Sequence, residues 1–198
     1  MALHTISVEQ ALAALPAFPV LRGRSVHLRQ PRIDDADALF ELFSQPQVTR
    51  YWSRPPMQAL AEAEGLLAEM DEAFAARRML HWLVTTRSDD AAIGTCTLFH
   101  FDPRNRCADI GYALLPECWG RGLASEAVAL VLAWGFDNLG LQRIEADVDP
   151  RNARSRQLLE RLGFHSEGVM RGRLALGDAA REAEVFALSI AAWRDELR

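Results

Sequence analysis

The residues with the clearest chemical potential lie in Pro116-Glu117-Cys118-Trp119-Gly120-Arg121-Gly122-Leu123-Ala124-Ser125-Glu126-Ala127. A strand-like run precedes this segment and a helix-like run follows it. At such a junction the first backbone N–H groups of the helix have no intrahelical acceptor, and the helix end carries partial positive charge. Glycines allow positive φ and a close approach of backbone to ligand. The chemistry this suits is anion binding, of a phosphate or pyrophosphate. A dinucleotide fingerprint would need a third glycine where the chain has Ser125, and a P-loop would need Gly-Lys-[Ser/Thr], which is absent.

A second group of candidates is titratable. Asp109 sits in an alternating run with Gly111 and Ala113 on its own face, small residues that leave room for a substrate. Glu145 and Asp147 share a face of a later strand, where nearby arginines such as Arg143 are expected to neutralise them. His100 is a further candidate. Asn152 and Ser155 open a later helix, where capping is the ordinary role of such residues. Tyr51 and Trp52, with Arg50 and Arg54, lie in a loop, a common place for binding residues. Cys96, Cys107 and Cys118 form no Cys-x-x-Cys and read as small buried hydrophobes, with no metal site expected.

The elements that must position these residues follow from periodicity. Residues 1–20 read as an N-terminal extension with a turn or two of helix before Pro16, and 21–198 as one domain. Residues 25–29 alternate as a strand. A helix opens at Asp34-Asp35 with Ala36, Leu39, Phe40 and Phe43 on its apolar face; a loop spans 46–56, and a helix about 57–76. Strands are expected at 80–86, 92–101 and 108–115. A helix at about 122–137, a strand at 143–149, a helix at 152–162 ending at Gly163, and strands at about 164–175 and 182–190 follow. The order β-α-α-β-β-β-α-β-α-β-β is an α/β (α+β) arrangement: hairpin strands followed by one parallel β-α-β crossover.

Composition narrows the class. The chain has 198 residues, 49% of them hydrophobic, with a formal net charge of −5. A nucleic-acid binder would usually be basic. No run is long and apolar enough for a membrane span, and no basic n-region precedes an apolar one, so a cytoplasmic protein without a membrane partner is expected.

Taken together, Trp119-Gly120-Arg121-Gly122-Leu123-Ala124, the segment Asn152-Ala153-Arg154-Ser155 leading to Leu162-Gly163-Phe164, and the pieces Ile110-Gly111-Tyr112 and Gly172…Gly177…Arg181-Glu182 resemble the GNAT N-acetyltransferases. The likeness is to the branch containing ribosomal-protein N-terminal alanine acetyltransferases, and it covers about 22–194. It implies a central, mostly antiparallel mixed sheet whose fourth and fifth strands splay apart, with flanking helices. It implies acetyl-CoA as cofactor, its arm between strands 108–115 and 143–149. Main-chain groups near Leu114 would pair with the arm and polarise the thioester. The loop from Trp119 and Gly120, with the amides of Arg121, Gly122, Leu123, Ala124 and Ser125, would hold the pyrophosphate, and Asn152 would hold the arm. Ser155 would approach the sulfur as proton donor, while Tyr51 and Trp52 would shape the acceptor pocket; the base is read from the strand pattern as Asp109, with Glu145, Asp147 and His100 as rivals. The expected acceptor is a primary amine, a small molecule or a protein N-terminus, with a monomer or homodimer doing the work. The tyrosines common in the family are replaced by Leu159 and Phe186. Their loss leaves room for an alternative, an acyl-CoA-binding module with weak catalysis. A nucleotide-dependent oxidoreductase is the third reading.

Overall fold

Strand pairing organises the molecule. The computed structural model describes residues 6–176 and 179–196, so Gly177 lies outside the described residues. Eight strands form one sheet: β1 (Leu21–Arg22), β2 (Val26–Arg29), β3 (Leu80–Thr86), β4 (Ala92–Asp102), β5 (Cys107–Leu114), β6 (Arg143–Val148), β7 (His165–Leu176) and β8 (Ala179–Ser189). Their order is β1-β2-β3-β4-β5-β6-β8-β7. Every neighbouring pair is antiparallel except β5 and β6.

That parallel joint is short. It holds only Cys107↔Arg143, Ala108↔Ile144 and Asp109↔Glu145. β5 stays paired to β4 as far as Gly94↔Leu114, and β6 to β8 as far as Val148↔Glu184. Beyond Asp109 and Glu145, therefore, each strand keeps its outer neighbour and loses its inner one, and a wedge opens in the middle of the sheet. The expected splay and mixed, mostly antiparallel sheet are both present.

The helices are α1 (Val8–Ala13), α2 (Ala36–Phe43), α3 (Pro46–Thr49), α4 (Leu60–Ala75), α5 (Leu123–Asn138), α6 (Ala153–Arg161) and α7 (Ile190–Glu196). The crossover helix α5 buries Ala127, Val128, Val131, Leu132, Gly135 and Phe136. A Cβ on Gly135 would stand 3.2–3.5 Å from Leu141, Leu98 and Ile144, so a bare Cα lets this helix sit close to β4 and β6. On α2 the buried residues are Ala36, Leu39, Leu42 and Phe43; Phe40, expected in that stripe, is half-buried, and Leu42 takes its place. Asp35, expected to favour the helix end, does more: its carboxylate accepts two bonds from Arg29 (2.8 and 2.9 Å) and one from the Arg32 N–H (2.6 Å).

The segment from 6 to 20 packs onto the core. Val8 and Leu12 are buried on α1, whose N-cap Ser7 exchanges a capping box with Gln10. Phe18 meets Phe74 and Trp82 edge-on, with centroids 5.0 and 5.5 Å apart, and the Trp82 indole donates to the Pro19 carbonyl at 2.8 Å. The short helix α3 occupies part of the expected 46–56 loop, and α7 extends the chain past the last strand. Trp193 on α7 tilts against Phe136 at 6.3 Å. Among the described residues no helix is long and apolar enough to cross a membrane.

Candidate active site

The glycine-rich turn lies at the wide end of the wedge. Gly120 and Gly122 both have positive φ (72° and 78°), and a Cβ at either would meet nothing within 4 Å. Gly122 is the N-cap of α5 and offers no side-chain cap, and the first helical bond runs from the Glu126 N–H to the Gly122 carbonyl at 3.0 Å. The N–H groups of Leu123, Ala124 and Ser125 are thus left over by helix geometry beside open space. The helix's own first-turn carboxylate does not fill the place. Glu126 turns away and accepts from the Ser25 N–H at 2.7 Å. Burial raises its pKa, but the backbone bonds outweigh that and hold it below the usual carboxylate range.

From this cradle the free edge of β5 leads inward. The Leu115 N–H donates to the Ile93 carbonyl at 2.9 Å. Main-chain groups alternate along a strand, so those of Leu114, Tyr112 and Ile110 face the wedge. The Leu114 carbonyl is already engaged by the Trp119 indole N–H at 2.8 Å, which leaves the Leu114 N–H as its main-chain group for a ligand. The run from Leu114 back to Asp109 is about 17 Å at the rise of a strand.

Across the wedge, α6 presents Asn152 and Ser155. Asn152 is the N-cap, its Oδ1 accepting from the Ser155 N–H at 3.3 Å. The Ser155 hydroxyl lies 2.7 Å from the Tyr112 phenol oxygen, and the Ser155 carbonyl 3.4 Å from it. Burial pushes the Tyr112 pKa well above that of a free phenol, so it stays protonated. Tyr112 was visible in sequence only as part of Ile110-Gly111-Tyr112. The usable signal was its place in an apolar stripe with Ile110 and Leu114, since a phenol there must find a polar partner. Leu159 and Phe186 are both fully buried in the core.

At the closed end of the wedge, the register of β4 and β5 jumps from Phe99↔Asp109 to Asp102↔Cys107. His100 occupies that bulge with φ 49°, and its Nδ1 lies 2.9 Å from Asp109 Oδ2. The imidazole is 69% exposed and the carboxyl 18%. Burial raises the Asp109 pKa against the opposing bond from His100. The rival carboxylates are neutralised: Glu145 by Arg143 (2.7 Å) and Arg173 (3.3 Å), Asp147 by Arg173 (2.7 Å). Among the described residues, Asp109 forms its ion-pair contact with His100 alone. The chain contains no lysine, so all 22 basic side chains are guanidinium groups, which stay protonated and do not compete with an acceptor amine.

The two loop aromatics part company. Trp52 packs on Phe43, centroids 4.9 Å apart, and anchors the loop. Tyr51 lies between Arg50 (5.3 Å) and Arg151 (5.9 Å), the latter in the turn before α6. Cys96 and Cys118 are buried, and burial raises both thiol pKa values, against a nucleophilic role. A hollow of about 500 Å³ lined by Gly23, Arg24, Glu126, Ala129, Leu130, Ala133 and Trp193 exposes mostly apolar surface, and its carboxylate Glu126 is already tied to the Ser25 N–H.

Residues 25–165 match the family model described as Acetyltransferase (GNAT) domain. The chain belongs to the GNAT acetyltransferase family. It is 33% identical over 171 residues to the uncharacterised N-acetyltransferase YoaA of Bacillus subtilis (strain 168), covering 86% of this chain and 97% of that one. It is 27% identical over 161 residues to spermidine N(1)-acetyltransferase of Escherichia coli (strain K12), covering 81% and 84%. The structure of Mycobacterium smegmatis RimJ in complex with CoA-disulfide superposes with a TM-score of 0.77 at 26% identity, covering 87% of each chain. As a GNAT enzyme the chain is an acyltransferase of a family that uses acetyl-CoA. The open β5 edge and uncapped glycine cradle have the donors and the space that such a ligand requires.

Proposed function

We propose that this GNAT enzyme transfers the acetyl group of acetyl-CoA to a primary amine by direct attack in a ternary complex. The observation that carries the reading is the wedge. One unpaired strand edge runs from a phosphate-sized cradle at Gly120–Ser125 to a His–Asp pair at the joint. The cofactor supplies an activated acyl thioester; the chain supplies position, donors and a proton acceptor.

Amides of Arg121 to Ser125 receive the pyrophosphate, with Trp119 and Gly120 shaping the approach, and Asn152 faces the arm from α6. The main-chain N–H groups on the bare β5 edge hold the arm, that of Leu114 at the cradle end, and those nearer the His–Asp pair polarise the thioester carbonyl. An alkyl ammonium has a pKa near 10 and an α-ammonium near 8, so a proton must leave before attack. Asp109 accepts from His100 Nδ1, which leaves Nε2 as the free lone pair for that proton. On the other side, the Tyr112 phenol and the Ser155 hydroxyl share a 2.7 Å hydrogen bond; with the phenol as its donor, the serine hydrogen is available to the departing sulfur. Tyr51 lines the acceptor side, held by Arg50 and Arg151, with Trp52 fixing the loop behind it.

The acceptor is a small polyamine-like amine or a protein N-terminus. Relatives named for spermidine and for ribosomal proteins support both classes. Thiol release from acetyl-CoA should be followed with spermidine, simple alkyl amines and alanine-initiated peptides. Turnover with at least one is expected. Tight CoA binding with no thiol release on any would instead favour a binding module. Thermal stabilisation by NAD(P) but not by CoA would overturn the reading altogether.

A further inference from the structure

The three arginines at the start of α6 are neutralised differently. Arg151 pairs with Asp149 at 2.6 Å and Arg156 with Glu184 at 2.7 Å. Arg154 stands between them in sequence, is exposed, and has no carboxylate at ion-pair distance among the described residues. Its guanidinium lies instead over the ring of Trp119, 4.6 Å from the centroid. That ring is itself fixed, because its indole N–H donates to the Leu114 carbonyl. Trp119 immediately precedes Gly120-Arg121-Gly122. A cation from the β6 side of the wedge is thus carried across its mouth and set down at the edge of the glycine cradle.

This placement has a physical purpose. A helix N-terminus offers the equivalent of about half a charge. That is little against a ligand carrying several phosphate charges, and the first-turn carboxylate Glu126 has been turned away from the same region. A guanidinium over a half-buried ring at the surface is modestly held, whereas a guanidinium–phosphate fork is charge-assisted and bidentate. The resting contact keeps the arginine ordered, unpaired and within reach of the cradle at little cost to its release.

We propose that Arg154 is a phosphate ligand for the cofactor, held on Trp119 until a phosphate takes its guanidinium. The proposal rests on the reading that the cradle receives coenzyme A. The phosphate is either the pyrophosphate or the 3′-phosphate of the adenosine, and the chemistry of the contact is the same.

Calorimetry on the full chain tests it. Wild type, Arg154→Ala and Arg154→Lys are titrated with CoA and with 3′-dephospho-CoA, each at low and raised salt. For CoA, Arg154→Ala should weaken binding about tenfold, the scale of one exposed charge-assisted contact. Arg154→Lys, which keeps the charge but not the fork, should fall between it and wild type. Wild-type affinity should drop more steeply with salt than that of the alanine variant. An alanine penalty that persists with 3′-dephospho-CoA identifies the pyrophosphate; one that vanishes identifies the 3′-phosphate. The melting temperature without ligand should not change, because the side chain is exposed. An alanine variant that binds CoA within twofold of wild type, with the same salt slope, overturns the proposal. If wild type itself fails to bind CoA, it is the functional reading that falls.

Discussion

Gly122 allows the cofactor assignment to be tested by charge alone. It combines φ 78° with empty space where a Cβ would stand. A Cβ there meets no neighbour, so the main cost to the fold is left-handed strain, about 1–2 kcal/mol. In a chain of this size that lowers the melting temperature by roughly 2–8 °C. Gly122→Gln and Gly122→Glu share this cost and have nearly the same shape; they differ by one negative charge. A carboxylate on the order of 6 Å from a bound phosphate is repelled by about 1–3 kcal/mol per charge, between the water-like and protein-surface limits. The glutamate variant should therefore bind CoA roughly 5- to 150-fold more weakly than the glutamine variant. The gap should shrink as salt is raised. Titration calorimetry of the two variants reads the difference directly, and their melting curves show that the fold cost is shared. Equal affinity of the two for CoA would refute the placement of phosphates at this turn.

The catalytic roles make sharper demands. Ser155→Ala should lower kcat more than it weakens CoA binding, and Tyr112→Phe should lower kcat as well. Because the phenol acts through the serine, the double variant should be no slower than Ser155→Ala alone; multiplicative losses would sever the two. Asp109→Asn should lower kcat/KM by about 10²–10⁴ if the His–Asp pair takes the amine proton. Burial raises the Asp109 pKa, so its ionised form costs stability that is regained as pH falls through the folded value. The asparagine variant should accordingly melt no lower than wild type at pH 8, and a large loss there would mark the residue as structural. On β3, burial lowers the His81 pKa from 6.5 to about 4, outweighing the pull of Glu69. The unfolded chain binds the proton first, so stability present above pH 6.5 is lost towards pH 4, by up to about 3 kcal/mol. His81→Gln should flatten that part of a denaturant-measured pH profile, and an unchanged slope would assign it to other groups.

Much of this architecture is legible in the chain itself. Period-two alternation at Arg143–Asp149 and the Gly-x-Gly before an apolar helical stripe locate β6, the cradle and α5 to within a residue or two. What escapes is what depends on partners far away in sequence. Phe18 gives no local sign that it will meet Phe74 and Trp82, so residues 1–20 read as an N-terminal extension. The four-residue helix α3 is too short for periodicity to register. His100 reaches Asp109 only because a bulge rotates it, and a strict alternation pattern sends the two to different places. Tyr112 and Ser155, like Trp119 and Arg154, are joined across the wedge, so neither pair has a local signature. Glu145, by contrast, finds its neighbour Arg143, while Asp147 is neutralised by Arg173, 26 residues along the chain.

The three-rung joint between β5 and β6 has a mechanical consequence. Five strands on one side and three on the other are each continuous ladders, and within the sheet only the rungs Cys107–Asp109 and Arg143–Glu145 join them. A ligand bonded to both lips acts as a splint between two half-sheets. The chain passes between them through the tight corner at Gly140 (φ 66°), where Arg106 clasps the carbonyl at 2.9 Å. A cut at that corner would leave two fragments that each keep their own ladder and share three rungs of sheet.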